Sequence, residues 1–235
     1  MANLTGEARA RYVRGMFADI ADNYDLMNRL MTAGQDVKWR RDVIRLAQVP
    51  PHGKLLDIAT GTGEIAQEGL RQQPDIIAVG GDFTLEMMQV GRQNPKRQNI
   101  CWVGADTLAL PFPDDCFEAV TSGFLMRNVI DVPQAFQEQI RVAKPGGRVV
   151  VLESSPPKDN LLKSFIRFHL NRVIPTMGRL IAGKGDAYRY LPDSTQQFQD
   201  PNSLASIMLD AGLVEVTYRL YMFGTIAIHS GQKPR

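Results

Sequence analysis

Two rhythms of apolar and polar positions divide the chain. From residue 9 to residue 48 the apolar positions recur at helical spacing, with Leu26, Met27, Leu30 and Met31 forming one stripe. Gly34 stops that helix, and Asp36 is placed to cap the next, which carries Lys38-Trp39-Arg40-Arg41. Residues 1–8 fit neither rhythm and read as a loose tail. After the boundary turn Pro50-Pro51-His52-Gly53, short apolar runs bounded by turn residues take over, and these are strands: 54–59, 76–82, 100–103, 117–122 and 149–153. Helical character returns between them at 65–70, 86–93 and 131–143, the last with Val132, Phe136, Ile140 and Val142 as its apolar face. A further helix over 201–211 is closed by Gly212. Val214–Tyr221 and Phe223–His229 then read as two strands joined by a tight connection, an antiparallel hairpin.

Alternating strands and helices predict an α/β fold: a Rossmann-like, seven-stranded, mostly parallel sheet with helices on both faces and a C-terminal antiparallel hairpin. Residues 1–48 form an N-terminal helical cover and residues 49–235 the main domain. A helical insertion over about 156–192 interrupts the sheet pattern. There Leu161, Leu162, Phe165, Ile166 and Phe168 mix with Lys163, Arg167, Arg172 and Arg179. This basic amphipathic segment suits a greasy substrate pocket, an anionic membrane surface or an ordinary cover helix.

Composition narrows the function classes. The 235 residues suit one α/β domain with an insertion, and a hydrophobic content of 44% supports a sizeable core. A net charge of +2 supplies no global field for nucleic acid. No apolar run approaches the ~20 residues of a membrane span, and the N-terminus lacks a signal-peptide core. Cys101 and Cys116 are not a CxxC pair, and with three scattered histidines there is no zinc ligand set and no metal is expected. A reduced, cytoplasmic setting is the expectation.

The chemistry centres on KLLDIATGTGE at 54–64. A strand, a glycine turn and a helix build a nucleotide-type pocket: glycines admit a ligand close to the backbone, and the helix N-terminus offers free N–H groups. Gly61-x-Gly63-x-x-Ala66 loosely fits the dinucleotide fingerprint. Asp57, inside the strand, is positioned to face a cationic ligand. Asp82 ends the second strand about 20 residues after the turn, where an acid binds ribose hydroxyls or caps the following helix. Asp106 can bond an adenine amino group, with Leu85, Met87 and Leu108 either sandwiching the ring or filling the core. Arg127 and Asn128 follow the fourth strand, where open α/β sheets bind ligands, so they are candidates for the reacting edge; a structural ion pair is the other reading of Arg127. Tyr24 is either a lid over the pocket or part of a plain helical cover. His52 reads as a surface loop residue, His169 as a packed or surface helix residue, and His229 as core, surface or a site-facing donor. A nicotinamide dehydrogenase fits the turn as well, but it has no need of the Lys144-Pro145-Gly146-Gly147 turn.

Taken in order, LLDIATGTGE, the acid at Asp82, GADTLALPFPDDCFEAV and RVAKPGGRVVVLE resemble the successive motifs of class I methyltransferases dependent on S-adenosylmethionine. FADIADNYDLMNRLMTAGQDVKWRR, the RNV after the fourth strand, DAYRYLPDS and TIAIHSG narrow the resemblance to the UbiE-type C-methyltransferases, over about residues 17–231. The resemblance implies C-methylation of a reduced polyprenyl quinol, demethylmenaquinol to menaquinol; O- or N-methylation of another lipophilic acceptor and a non-catalytic cofactor-binding subunit are the alternatives. It implies that Gly61, Thr62 and Gly63 contact the cofactor, that Asp82 holds its ribose, and that Asp106 with Thr107 holds its adenine. Arg127 and Asn128, with Tyr24, would stabilise the acceptor's phenolate or pass its proton through water. Gly123 stands where relatives often carry Ser, Thr60 where they often carry Cys or Gly, and Leu125 replaces a glycine, which puts the substrate more in question than the chemistry. The implied partner is a lipophilic quinol; peripheral contact with the inner face of a membrane through the basic segment 158–182 and a homodimer are left open as options.

Overall fold

The computed structural model describes residues 6–156 and 185–235, together with positions 172, 173, 175, 176, 178 and 179. The strands are β1 Lys54–Ile58, β2 Ile77–Asp82, β3 Cys101–Gly104, β4 Phe117–Gly123, β5 Ala143–Ser154, β6 Val214–Tyr221 and β7 Ile226–Gln232. They form one seven-stranded sheet in the order β3-β2-β1-β4-β5-β7-β6. β1 runs parallel to β2 and β4, and β4 runs parallel to β5. β7 pairs antiparallel with both β5 and β6, so among these strands it alone runs against the rest. The helices are α1 Gly6–Ile20, α2 Tyr24–Met31, α3 Gln35–Ala47, α4 Glu64–Gln72, α5 Leu85–Gln93, α6 Val132–Val142, α7 Gly185–Gln197 and α8 Pro201–Asp210.

The central strands are apolar on both sides because both sides are covered. Successive residues of one strand point to opposite faces, so the two-residue period splits the core in two. Leu56, Val120, Val149 and Val151 pack with Phe136 of α6 and Leu204 of α8. Leu55, Ala119, Val150 and Leu152 pack with Trp39 and Val43 of α3 and Ile65 of α4. A third cluster joins Met16 and Ile20 of α1, Met27 of α2 and Tyr188 of α7.

Several sequence expectations shift. The supposed tail enters α1 at Gly6. Asp36 does not cap α3: Gly34, at φ 78°, is the cap. Asp36 lies inside the helix, where Arg40 at 2.7 Å and Arg29 at 3.3 Å claim its carboxylate. On α6 the fully buried apolar positions are Ala135, Phe136 and Val142, while Val132 and Ile140 are only partly covered. The last strand starts at Ile226 because Met222–Gly224 forms a 3-10 turn, with Met222 at φ 48° and Phe223 at φ 58°. His52 lies on the surface beside Asp75. His229 is a core residue: it is buried, stacks on Tyr218 and bonds the Pro201 carbonyl at 2.9 Å. His169 and nearly all of the amphipathic stretch 158–182 lie outside the described residues. Among the described residues no helix is long and apolar enough to cross a membrane.

Candidate functional site

The strand order reverses between β1 and β4, and a cavity of about 470 Å3 opens beyond their C-terminal ends. This is the position at which doubly wound sheets bind ligands. Ala10, Val13 and Phe17 of α1 form its roof, and Tyr24 of α2 reaches into it. Backbone strain marks the rim. Ala59, just past β1, sits at φ 54° and Phe124, just past β4, at φ 57°. Left-handed conformations of non-glycine residues cost about 1–3 kcal/mol and concentrate at functional sites. Between them the glycine turn closes with Gly63 N–H donating to the Thr60 carbonyl at 2.8 Å, and Gly63, at φ 90°, caps α4.

Asp57 does not face the cavity. It is 1% exposed, and its two oxygens accept hydrogen bonds from Thr60 Oγ1 at 2.6 Å and Thr121 Oγ1 at 2.9 Å. It thus braces the turn against β4. Burial pushes its carboxyl from 3.8 to about 7, with the two hydroxyl donors pulling the other way. A raised folded-state pKa means that the folded chain holds the proton more tightly. The stability Asp57 contributes is therefore fully present below its unfolded value of about 3.9 and is lost as pH rises toward 7. Asp57→Asn is expected to flatten the fall in thermal midpoint between about pH 4 and pH 7; an unchanged slope across that window would count against this assignment.

Asp82 does face the cavity. Its Oδ2 accepts Gly61 N–H at 2.7 Å and its Oδ1 accepts Thr84 N–H at 2.7 Å. One carboxylate therefore ties the glycine turn to the start of α5 and keeps its remaining lone pairs for a ligand. Burial pushes its pKa up, and the backbone donors from Thr84, Gly61 and Phe83 oppose that shift. Asp106 and Thr107 line the same wall. Asp106 Oδ1 accepts Leu108 N–H at 2.9 Å. Thr107 Oγ1 is buried without a hydrogen-bond partner among the described residues. Buried polar groups are normally paired, so this hydroxyl needs a partner beyond the described side chains. Met87 and Leu108 line the cavity, whereas Leu85 is half exposed outside it. Gly123 and Leu125 also line it, and a Cβ at Gly123 would meet Ile65 Cδ1 at 2.9 Å.

Thr62 turns away from the cavity and donates from Oγ1 to Asp25 Oδ1 at 2.6 Å. Behind it lies a charged cluster centred on Arg97, which is 3% exposed. Its guanidinium donates to the Thr62 carbonyl at 2.8 Å, to Gln67 Oε1 at 2.8 Å, to Asp25 Oδ2 at 2.8 Å and to Glu64 Oε1 at 3.0 Å. Asp25 follows Tyr24, so the cluster fixes the tyrosine over the turn. Burial raises the Tyr24 pKa, with the bond to Asn28 opposing it, so its hydroxyl stays protonated at neutral pH.

Past β4, Asn128 lines the cavity with both ends of its amide fixed. Nδ2 donates to the Phe124 carbonyl at 2.9 Å, and Oδ1 accepts from Tyr190 Oη at 3.0 Å. Arg127 points elsewhere. It is 6% exposed and forms a close ion pair with Glu153 of β5, which is 1% exposed. Its Cζ lies 5.0 Å from the centroid of the Phe124 ring. It lines a second cavity, of about 280 Å3, on the other side of Val129 and Ile130. Arg127 is thus ion-paired, as one of its two sequence readings has it, and it does not line the larger cavity.

Sequence reasoning gave no role to Asp25, Arg97, Glu153 or Tyr190. Arg97 lies between the predicted helix 86–93 and the strand 100–103, and Glu153 is the last residue of the predicted strand 149–153. Only the resemblance carried a signal, since it included the final acid of RVVVLE and the tyrosines of DAYRYLPDS.

The family model for the ubiE/COQ5 methyltransferase family matches residues 5–233. The chain is 45% identical over 227 residues to a demethylmenaquinone methyltransferase of Roseiflexus castenholzii, a match covering 97% of this chain and 95% of that one. It is 45% identical over 221 residues to the ubiquinone/menaquinone biosynthesis C-methyltransferase UbiE of Desulfotalea psychrophila, covering 94% and 90%. Its fold is similar to that of Haemonchus contortus phosphoethanolamine N-methyltransferase 2, solved with phosphomonomethylethanolamine and S-adenosylhomocysteine. That match has a TM-score of 0.64 and 13% identity, and covers 93% of this chain and 60% of that one.

Proposed function

The chain belongs to the ubiE/COQ5 methyltransferase family, and we propose that it transfers the methyl group of S-adenosylmethionine to a ring carbon of a reduced, demethylmenaquinol-type quinol. The observation that carries this reading is the set of polar groups around the larger cavity. A cradled carboxylate, a buried hydroxyl, a fixed amide and a protonated tyrosine line one and the same cavity.

When bound, S-adenosylmethionine supplies a methyl group already activated on a sulfonium, so the protein's task is to position and to polarise. Asp82 would accept two ribose hydroxyls, and Asp106 and Thr107 would meet the adenine edge. The acceptor carbon is a weak nucleophile until an adjacent hydroxyl gives up its proton. Asn128 Nδ2 has a second hydrogen beyond the one given to Phe124, and Tyr24 retains its phenolic hydrogen; both can donate to the oxygen that becomes negative. A guanidinium is a poor base, so Arg127 would act through its charge. A quinone has no hydroxyl to ionise, so only the reduced acceptor fits.

The test is to incubate the protein with labelled S-adenosylmethionine and a demethylated naphthoquinol, kept reduced, and to locate the label by mass spectrometry and NMR. Label on the ring carbon, with none transferred to the oxidised quinone, is the expected result. Label on oxygen would replace C-methylation with O-methylation. Cofactor binding without transfer to any quinol would leave a non-catalytic subunit.

A further inference from the structure

We propose that Arg97 is a positioning residue: from the short turn before β3 it holds the glycine turn and Tyr24, two walls of the larger cavity, at a fixed separation. The inference rests on the reading of that cavity as the cofactor's, and it names what keeps the walls in place.

Three observations carry it. The first is burial against the local trend. From residue 92 to residue 99 the chain is exposed or half-exposed except at Arg97. The turn Pro95–Arg97 is shaped by Asn94, whose side chain accepts Lys96 N–H at 3.0 Å. Arg97 leaves this polar surface and puts its guanidinium inside. A buried charge is costly unless it is fully paired, so its partners decide what it does. The second observation is the choice of those partners. Nε serves Gln67 and Nη1 the Thr62 carbonyl, while Nη2 serves both Asp25 and Glu64. They belong to three separate pieces: the glycine turn, the start of α4 and the start of α2. A planar fork fixes angles as well as distances among them, which a single ammonium cannot do. The Thr62 carbonyl is also backed by α5, since a Cβ at Gly91 would collide with it. Arg40 pairs with Glu64 and Asp36, which leaves Asp25 to Arg97. Asp25 and Glu64 face each other across one nitrogen, so without the guanidinium their like charges push α2 away from α4.

The third observation is what hangs on this hub. Asp25 also accepts Thr62 Oγ1 and follows Tyr24, whose ring lies over Gly61. A Cβ at Gly61 would sit 3.9 Å from Tyr24 Cε1 and 3.2 Å from Met87 Cε. Gly61 N–H in turn donates to Asp82. Arg97 lines neither of the two cavities, so it acts on a ligand only through these groups. Positioning of this kind is where small displacements are felt most strongly.

The experiment compares the full-length wild type with Arg97→Met, Asp25→Ala and the double variant, each checked for folding by circular dichroism at the working temperature. Asp25 is partly exposed, so its variant serves even where Arg97→Met does not fold. Affinity for S-adenosylhomocysteine is read by calorimetry. Each single variant is expected to bind about tenfold or more weakly, and the double variant within about threefold of the weaker single, because both cut the same tie. In parallel, fluorotyrosine labelling reports on Tyr24 by fluorine NMR, its resonance identified by its loss in Tyr24→Phe. That resonance is expected to move toward the solvent-exposed value in both single variants. A resonance that stays in place, affinity within about twofold of wild type in folded variants, or losses that multiply in the double variant overturns the positioning role. The two failures are separable. Wild-type binding of S-adenosylhomocysteine that the variants leave unchanged sinks the role of Arg97 and spares the function. A Tyr24 resonance that both variants shift, in a chain that binds no S-adenosylhomocysteine, sinks the function and spares the role.

Discussion

Replacing Asp82 with alanine is expected to weaken S-adenosylhomocysteine binding by about two to four orders of magnitude. Two hydroxyl donors to a carboxylate are worth about 1.5–3 kcal/mol each, and each 1.4 kcal/mol is a factor of ten. The substitution also strands the Gly61 and Thr84 N–H groups, which now donate to the two oxygens. Each buried orphan costs about 1–3 kcal/mol, so the unfolding midpoint falls as well. Asp82→Asn is not a conservative change here. Whichever way the amide is turned, its NH2 faces one of two backbone donors, so one contact becomes repulsive. Calorimetry of both variants at a temperature where they remain folded settles the point. A dissociation constant within about fivefold of wild type for Asp82→Ala would mean that the ribose is held elsewhere.

The second large effect concerns the buried pair of Arg127 and Glu153. Glu153→Ala is expected to cost about 3–5 kcal/mol of stability, because it leaves the Arg127 charge in the interior without its partner. The Glu153 oxygens also accept the backbone N–H groups of Arg127 at 3.3 Å and Ser154 at 2.7 Å, so the loss reaches the backbone past β4. Arg127→Ala alone should cost a similar amount for the mirror reason. The informative variant is the double replacement Arg127→Met with Glu153→Leu. Removing both halves of a buried pair for apolar groups of similar volume is often neutral for stability. Chemical denaturation should place this variant above either single replacement, though below wild type because the Arg127 and Ser154 N–H groups lose their acceptor, and its turnover should be lost while cofactor binding persists. Retained turnover in the double variant would show that the pair serves only the fold.

The sheet was legible from the sequence because its strands are short apolar runs punctuated by glycine, proline and acidic turns, and because burial on both faces suppresses polar positions. Boundaries slipped where tertiary bonds overrode local preference. Asp36 looked like a helix cap, but two arginines claimed it. Phe223 looked like strand, but its left-handed backbone put it in a turn. Asp82, Asp106 and Asn128 reached the cavity as their positions at strand ends implied, since a strand's C-terminal residue has few directions left to face. Asp57 and Thr62 sit as close to the glycines in sequence, yet both are turned into the protein by hydroxyl–carboxylate bonds. Arg97 and Glu153 were invisible because their partners are distant in sequence: Asp25 and Arg127 become neighbours only once the sheet has formed.

The insertion of β7 between β5 and β6 has a consequence for synthesis on the ribosome. β5 carries Glu153, and from Arg148 to Ser154 its outer edge is paired by residues 226–232. Until those residues leave the exit tunnel, a nascent chain presents that length of β5 as an open, apolar template to its neighbours on the polysome. Slow translation or truncation ahead of residue 226 should thus favour aggregation over a soluble partial fold.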